Sequence, residues 1–384
     1  MRVAQPILQF GTSRFLQAHV DLFVADALAQ RNGASQALGG ITVVQTTNSA
    51  DGAARIAALA HGDGYPVRIR GLSAGQSVDH EVRCTSVKQA WQASSHWPQL
   101  REAVAHDVQV IVSNTADRGY ALDERDTAAC MQDGAPAPHS FPAKLLVLLH
   151  GRWQIQPDAP ISLLPCELIE RNGDVLRDLL LSLVERWALP SDFAVWLQAH
   201  CVWANSLVDR IVSEAIVPVG AVAEPYAIWV IENQPRLQLP CQHPAIVLTD
   251  DLASFERLKL FLLNAAHTFL AERWLQDQRD PDETVRAAMA DAGLRAELEA
   301  LWQEEILPVF GQPGTPERQQ ADAYVQDVRA RFENPFLNHR IADIAQNHAQ
   351  KKLRRLQPIV ELAHRNAPNL PQRRLHAALA NTTV

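Results

Sequence analysis

Residues 255–270 constrain the chain most. They contain neither Gly nor Pro and are apolar on almost every side. The spacing predicts a helix of about four turns. Leu258, Phe261, Leu262 and Phe269 line one side. Glu256, Lys259, Asn264 and His267 spread over an arc of roughly 140° on the other. Leu260 and Leu263 fall inside that arc, so both faces are expected to be sheltered. Polar groups on such a helix need partners or a task, because taking them out of water uncompensated is costly. Two readings stay open. In one, Lys259, Asn264 and His267 belong to a structural network. In the other they form an active site. A Lys drawn out of water loses part of its preference for the charged form and can act as a base near neutral pH. Asn offers an NH2 donor, and His can donate or accept.

The chain has 384 residues, enough for two domains or one large one. A net charge of −8 without a basic block argues against a nucleic-acid partner. The longest apolar runs are too short for a bilayer, so no membrane partner is expected. The first residues, Met1 to Pro6, do not read as a secretory signal. Five scattered cysteines (Cys84, Cys130, Cys166, Cys201, Cys241) with no Cys-x-x-Cys indicate neither zinc nor disulfides. A reducing cytoplasm is the expected location. Both a monomer and a homodimer are compatible with the sequence.

Ile7 to Phe10 reads as a short buried strand, followed by Gly11-Thr12-Ser13-Arg14-Phe15 and a helical pattern through Leu16, Val20, Phe23, Val24 and Leu28. Strand, glycine turn and helix is how a dinucleotide fold begins. Only Gly11 of the glycine fingerprint is present, so an ordinary strand-to-helix turn also fits. Residues 41–47 predict a second strand, and its end carries Gln45 and Thr46 where an acidic ribose clamp would stand. Both NAD and NADP are compatible with that end. Residues 67–70 and 78–82 read as a hairpin inserted in the sheet. Residues 108–115 and 161–167 read as further strands. Asn114 and Thr115 close the first of these, at a place where ligands of doubly wound sheets bind, although turn or cap roles fit as well. Asn172-Gly173 fits a turn or cap at the head of a helix over 174–187. Asp209-Arg210 fits a local ion pair. Late strands are expected over 226–231 and 245–248, and beyond residue 250 only helices. The expectation is an α/β protein: a Rossmann-like doubly wound sheet domain over 1–249, then an all-helical domain over 250–384. The basic cluster Lys351, Lys352, Arg354, Arg355 reads as a solvated helix face.

The spacing Lys259-x4-Asn264-x2-His267 resembles the signature of the long-chain mannitol dehydrogenase family of polyol and sugar-acid dehydrogenases. The segment Pro165-Cys166-Glu167-Leu168-Ile169-Glu170-Arg171-Asn172-Gly173 is similar to the family's tagaturonate reductases in particular. Val208-Asp209-Arg210-Ile211 and the run from Arg331 to His339, with Lys351 downstream, resemble further family motifs. The resemblance implies a metal-independent dehydrogenase with Lys259 as general acid/base. It further implies Asn172 and Asn264 on the reacting oxygen, His267 orienting substrate, and Glu256 passing protons towards solvent. Asp209 and Lys351 match substrate-contacting positions. Gly11, Thr12, Ser13, Arg14, Phe15, Gln45, Thr46, Asn114 and Thr115 match the cofactor positions, with NAD the expected cofactor. Ser13 stands where relatives carry a second Gly, and Asp343 where polyol dehydrogenases carry an Arg. The substrate implied is an open-chain polyol or aldonate with its ketose or keto-uronate. A carboxylate or phosphate would need cations, with Lys351, Arg118 and Arg210 as candidates. The alternatives are a hexitol-phosphate dehydrogenase, or a sensor that binds a dinucleotide or sugar acid without turnover.

Overall fold

The structure, a computed structural model, describes residues 5–30, 36–47, 49–73, 75–115 and 119–380. The chain divides into two compact units. The first comprises Met1–Ile69, His80–Ala223 and Ala227–Leu252, and the second Arg70–Asp79, Glu224–Tyr226 and Ala253–Val384.

The first five strands are β1 (Ile7–Phe10), β2 (Ile41–Gln45), β3 (Tyr65–Ser73), β4 (Gln76–Cys84) and β5 (Val87–Gln92). Then follow β6 (Val110–Ser113), β7 (Ile161–Pro165) and β8 (Cys201–Trp203). Six of them form one parallel sheet in the order β5-β2-β1-β6-β7-β8. The order reverses between β1 and β6, the point at which a doubly wound sheet opens a crevice. Every residue of β1, β2, β6 and β7 is buried. Continuous apolar strands suit a sheet covered on both faces. Leu100, Leu145, Leu149, Leu180 and Phe193 from neighbouring helices complete a core with Ile111 and Leu163.

Three expectations change here. The predicted hairpin, β3 and β4, is not inserted in the main sheet. It belongs to a separate sheet with β10 (Val212–Ala215) and β11 (Ala221–Ala223), after β9 (Ser206–Asp209), in the order β10-β11-β3-β4. The edge of the main sheet is instead β5, whose Lys88, Gln89 and Gln92 hide its strand pattern. The helix expected after Gly11 is broken into Arg14–Gln17 and Val20–Ala29. The break falls at His19, whose Nε2 lies 3.1 Å from the Ile228 carbonyl oxygen and whose ring packs between Phe15 and Phe23. Strands β12 (Ile228–Glu232) and β13 (Ile246–Thr249) pair with β9 in a third sheet.

The described residues after Thr249 form helices and no further strand. Here too an expectation changes. The run 255–270 is not one α-helix but helix Leu252–Leu258, a π-helical segment Lys259–Asn264 and helix Ala265–Gln276. A second π segment, Leu301–Ile306, lies in the same unit. From it the fully buried Trp302 donates its indole N–H to the Leu262 carbonyl at 3.1 Å. The wider turn of a π segment, which closes i to i+5, is held here by packing and by that bond. No helix among the described residues is long and apolar enough to cross a membrane.

The basic cluster is not a solvated face. On helix His348–Arg355, Lys352 is buried and donates to Glu272 at 3.0 Å and to the Ala378 carbonyl at 2.7 Å. Lys351 and Arg355 are half-buried, and only Arg354 of the four is exposed.

Candidate active site

In the first unit the loop after β1 meets the loop after β6. Gly11 has φ +120°, and a Cβ there would lie 2.5 Å from the Asn114 carbonyl oxygen, so only glycine permits this approach. Ser13 caps the helix that follows, its hydroxyl accepting from the Leu16 N–H at 3.3 Å and donating to the Asn114 side-chain oxygen at 3.3 Å. The Thr12 carbonyl accepts from Gln17 and from Arg55. Arg14 is exposed, and Phe15 stacks on His19. At the end of β2 the buried Gln45 donates to the Ser49 carbonyl while its Oε1 has no partner among the described residues. Thr46 beside it is half-buried. A glycine cradle at the reversal point and a lone buried acceptor where a ribose hydroxyl would come both fit a dinucleotide.

Sequence reasoning missed the group that organises this edge. Glu167, 4 % exposed, accepts from Ser113 Oγ (3.0 Å), Thr115 N–H (3.0 Å) and Thr115 Oγ1 (2.9 Å). Burial pushes its pKa up, against those hydrogen bonds. Its carboxylate ties the end of β6 to the end of β7, and Asn114 reinforces the tie by donating to the Cys166 carbonyl at 2.8 Å. An acid directly after the uncharged run 161–166 was the available signal.

Asn172 requires a correction. It is fully buried, and its NH2 faces the carbonyl oxygens of Pro165 (3.1 Å), Glu167 (3.1 Å) and Ser206 (3.0 Å). Its Oδ1 accepts from the Ser206 N–H at 2.9 Å. Both amide hydrogens are spent inside the fold, leaving no donor for a reacting oxygen. Gly173 follows because a Cβ there would come within 2.7 Å of the Ala204 backbone. Asp209 is buried at the end of β9, and Arg210 donates to the Ala18 carbonyl. Arg118 lies outside the described residues.

In the second unit the π segment runs from Lys259 to Asn264. Five residues apart on an α-helix is about 140° round the axis. A turn closed i to i+5 instead stacks the two backbone positions on one side. Lys259 and Asn264 are half-buried, as is Glu256 one turn earlier. His267 follows, 7 % exposed, stacked on Phe332 at 4.4 Å and edge-on to His339 at 4.8 Å. Its Nε2 has no hydrogen-bond partner among the described residues. Burial, and then the nearby His339, Arg331, Arg355 and Lys351, hold the ring well below its ordinary pKa, so it is neutral at physiological pH. Lys351 donates to the Ile344 carbonyl at 2.7 Å. Thus the second unit brings Glu256, Lys259, Asn264 and His267 onto one helix, with Lys351 close enough to act on the imidazole. No group of three or more His, Cys, Asp or Glu placed to hold a metal occurs among the described residues.

The reversed sheet order and the glycine crevice put the first unit in the class of dinucleotide-binding α/β folds. The chain belongs to the mannitol dehydrogenase family: residues 5–241 match its Rossmann domain and residues 251–383 its C-terminal domain. It is 31 % identical over 380 residues to the altronate oxidoreductase of Halalkalibacterium halodurans, spanning 93 % of this chain and 70 % of that one. With the altronate oxidoreductase of Bacillus subtilis it shares 31 % over 395 residues, 96 % of this chain and 77 % of the relative. Among solved structures, a substrate-free D-sorbitol dehydrogenase aligns with a TM-score of 0.82 at 19 % identity, covering 98 % of this chain and 79 % of that one. The mannitol 2-dehydrogenase of Pseudomonas fluorescens, in a ternary complex with NAD and D-mannitol, aligns with 0.73 at 18 % identity, covering 99 % and 79 %. At such identities the likeness is one of fold.

Proposed function

We propose that this protein is an NAD-dependent oxidoreductase that interconverts a secondary alcohol of an open-chain sugar acid or polyol with the matching ketone. Altronate is the first alcohol to test, with tagaturonate as its matching ketone, since the relatives quoted above are named altronate oxidoreductase. The observation that carries the reading is the π segment bounded by Lys259 and Asn264 and followed by a neutral, unpartnered imidazole at His267.

The loop Gly11–Phe15, Gln45, Thr46, Asn114 and Thr115 would hold the dinucleotide, whose nicotinamide supplies hydride exchange when bound. In oxidation the neutral amine of Lys259 takes the hydroxyl proton. In reduction its ammonium returns the proton to the same oxygen. The Asn264 amide donates to that oxygen as negative charge grows on it, which preorganised donors do best away from water. His267 Nε2 holds a neighbouring hydroxyl, and Glu256 relays the proton from Lys259 towards solvent. Lys351 and Asp209 contact substrate. In this scheme the proton acceptor is an amine and no metal takes part. Asn172 acts through the backbone it ties and not on the oxygen.

The test is an NADH oxidation screen over keto-uronates, ketoses and ketose phosphates. Turnover on a keto-uronate is expected. Tight NADH binding without turnover on any of them would replace this reading with a non-catalytic sensor.

A further inference from the structure

Helix His348–Arg355 carries four cations with different surroundings. Lys352 is neutralised by Glu272, and Arg354 is in solvent. Lys351 and Arg355, one turn apart and half-buried, have no carboxylate within ion-pair distance among the described residues. Their protein partners are neutral: the Ile344 carbonyl for Lys351, and for Arg355 the Thr268 hydroxyl at 3.4 Å. Desolvation lowers the pKa of both, and for Lys351 the neighbouring guanidinium lowers it further. Two adjoining cations drawn partly out of water repel each other, and an anion between them would relieve that cost. The place is specific. Thr268 is the residue after His267, whose buried Nε2 is also without a partner. Lys351 and Arg355 are both close enough to act electrostatically on that imidazole. Cations lacking an acid and an imidazole lacking a partner therefore adjoin within the second unit.

We propose that Lys351 and Arg355 form an anion subsite for the substrate's terminal carboxylate, with Arg355 setting the preference for a sugar acid over its alditol. This rests on the reading that substrate is held at His267. A planar guanidinium grips a carboxylate through two parallel hydrogen bonds, and an ammonium adds a point charge. An alditol supplies no charge there. A terminal phosphate shares the anionic chemistry, so the experiment must separate the two.

The test is calorimetric titration of the full chain, with NADH present, using D-altronate, D-altritol and a hexitol phosphate. Altronate is expected to bind about 10- to 100-fold more tightly than altritol, the span of a charge-assisted bond. Arg355→Gln should collapse that preference, Arg355→Lys should keep part of it, and Lys351→Met should reduce it. Arg354→Gln removes the same charge from the exposed side and should retain the full preference. The subsite is overturned if wild type does not prefer altronate, if hexitol phosphate binds more tightly, or if folded Arg355→Gln keeps the preference. Should Arg355→Gln fail to fold, an undiminished preference in Lys351→Met overturns it equally. Because binding is read without turnover, a chain that prefers altronate yet reduces nothing sinks the catalytic reading and supports the subsite.

Discussion

Two buried polar clusters in this protein are held in opposite ways. At the strand ends of the first unit, Glu167 accepts from Ser113 and Thr115, and Asn172 spends its whole amide on Pro165, Glu167 and Ser206. Around the π-bulged helix of the second unit, and among the described residues, His267 Nε2 has no partner and Lys351 and Arg355 have no acid within ion-pair distance. The first arrangement is a frame, because a saturated group gains nothing from a ligand. The second is where a ligand would complete the bonding, because an unmet polar group in a dry place stays costly until something meets it.

Substitutions should therefore sort by region. The largest effect is expected on the helix of the second unit. Lys259→Ala should lower kcat by about 10²- to 10⁴-fold, the range of a positioned acid/base, while NADH affinity by fluorescence titration and the melting temperature hold. Asn264→Ala should cost about 10²- to 10³-fold in kcat as a lost oxyanion donor. Asn172→Ala should behave in reverse. It strands buried carbonyls and an N–H, so denaturant unfolding should show a loss of about 2–4 kcal/mol, with kcat of the folded fraction within a few-fold of wild type. A large kcat loss at full stability in Asn172→Ala would break the comparison and return that amide to the oxygen.

A smaller effect, elsewhere in the first unit, is read by pH. Asp21 is 1 % exposed, bonded by the Tyr65 hydroxyl at 2.6 Å, and burial pushes its pKa up to about 7. Between its ordinary value and that one, the folded chain keeps a proton that the unfolded chain has lost. Its contribution to stability thus falls as pH rises from about 4 to about 7. Asp21→Asn should gain stability relative to wild type across that window, measured by urea midpoints. A pH-independent difference would show that Asp21 is ionised in the fold.

Much of the first unit was legible because its strands are simple. β1, β2, β6 and β7 are short, fully buried runs dominated by apolar and β-branched residues, broken only by Gln9, Gln45, Ser113 and Ser162, and such runs have few other uses. β5 was not legible, since an edge strand alternates with polar residues that read equally well as loop. The second unit's helices were visible in outline and its π segment was not. Nothing between Lys259 and Asn264 differs from good α-helical sequence, and Trp302, which meets the Leu262 carbonyl inside the segment, is distant in the chain. The fate of each basic residue on helix His348–Arg355 was hidden for the same reason. Lys352 is buried against Glu272 and the Ala378 carbonyl while Lys351 beside it is not, and no local pattern announces that pairing. Asn172 was singled out as a turn or cap residue and, by resemblance, as a donor to the reacting oxygen; that it is buried came only with the fold. Its task could be read only once Pro165 and Ser206 were seen beside it.

The most direct test of the proposed chemistry is the pH profile of kcat/KM for altronate oxidation, from about pH 6 to about pH 10, in wild type and in Lys259→Ala. With the imidazole of His267 neutral throughout, the wild-type rate should rise with pH and level off as the Lys259 ammonium gives up its proton. In Lys259→Ala the residual rate should climb without that plateau. The same plateau at the same pH in the variant would mean that another group carries the proton, and would contradict the assignment.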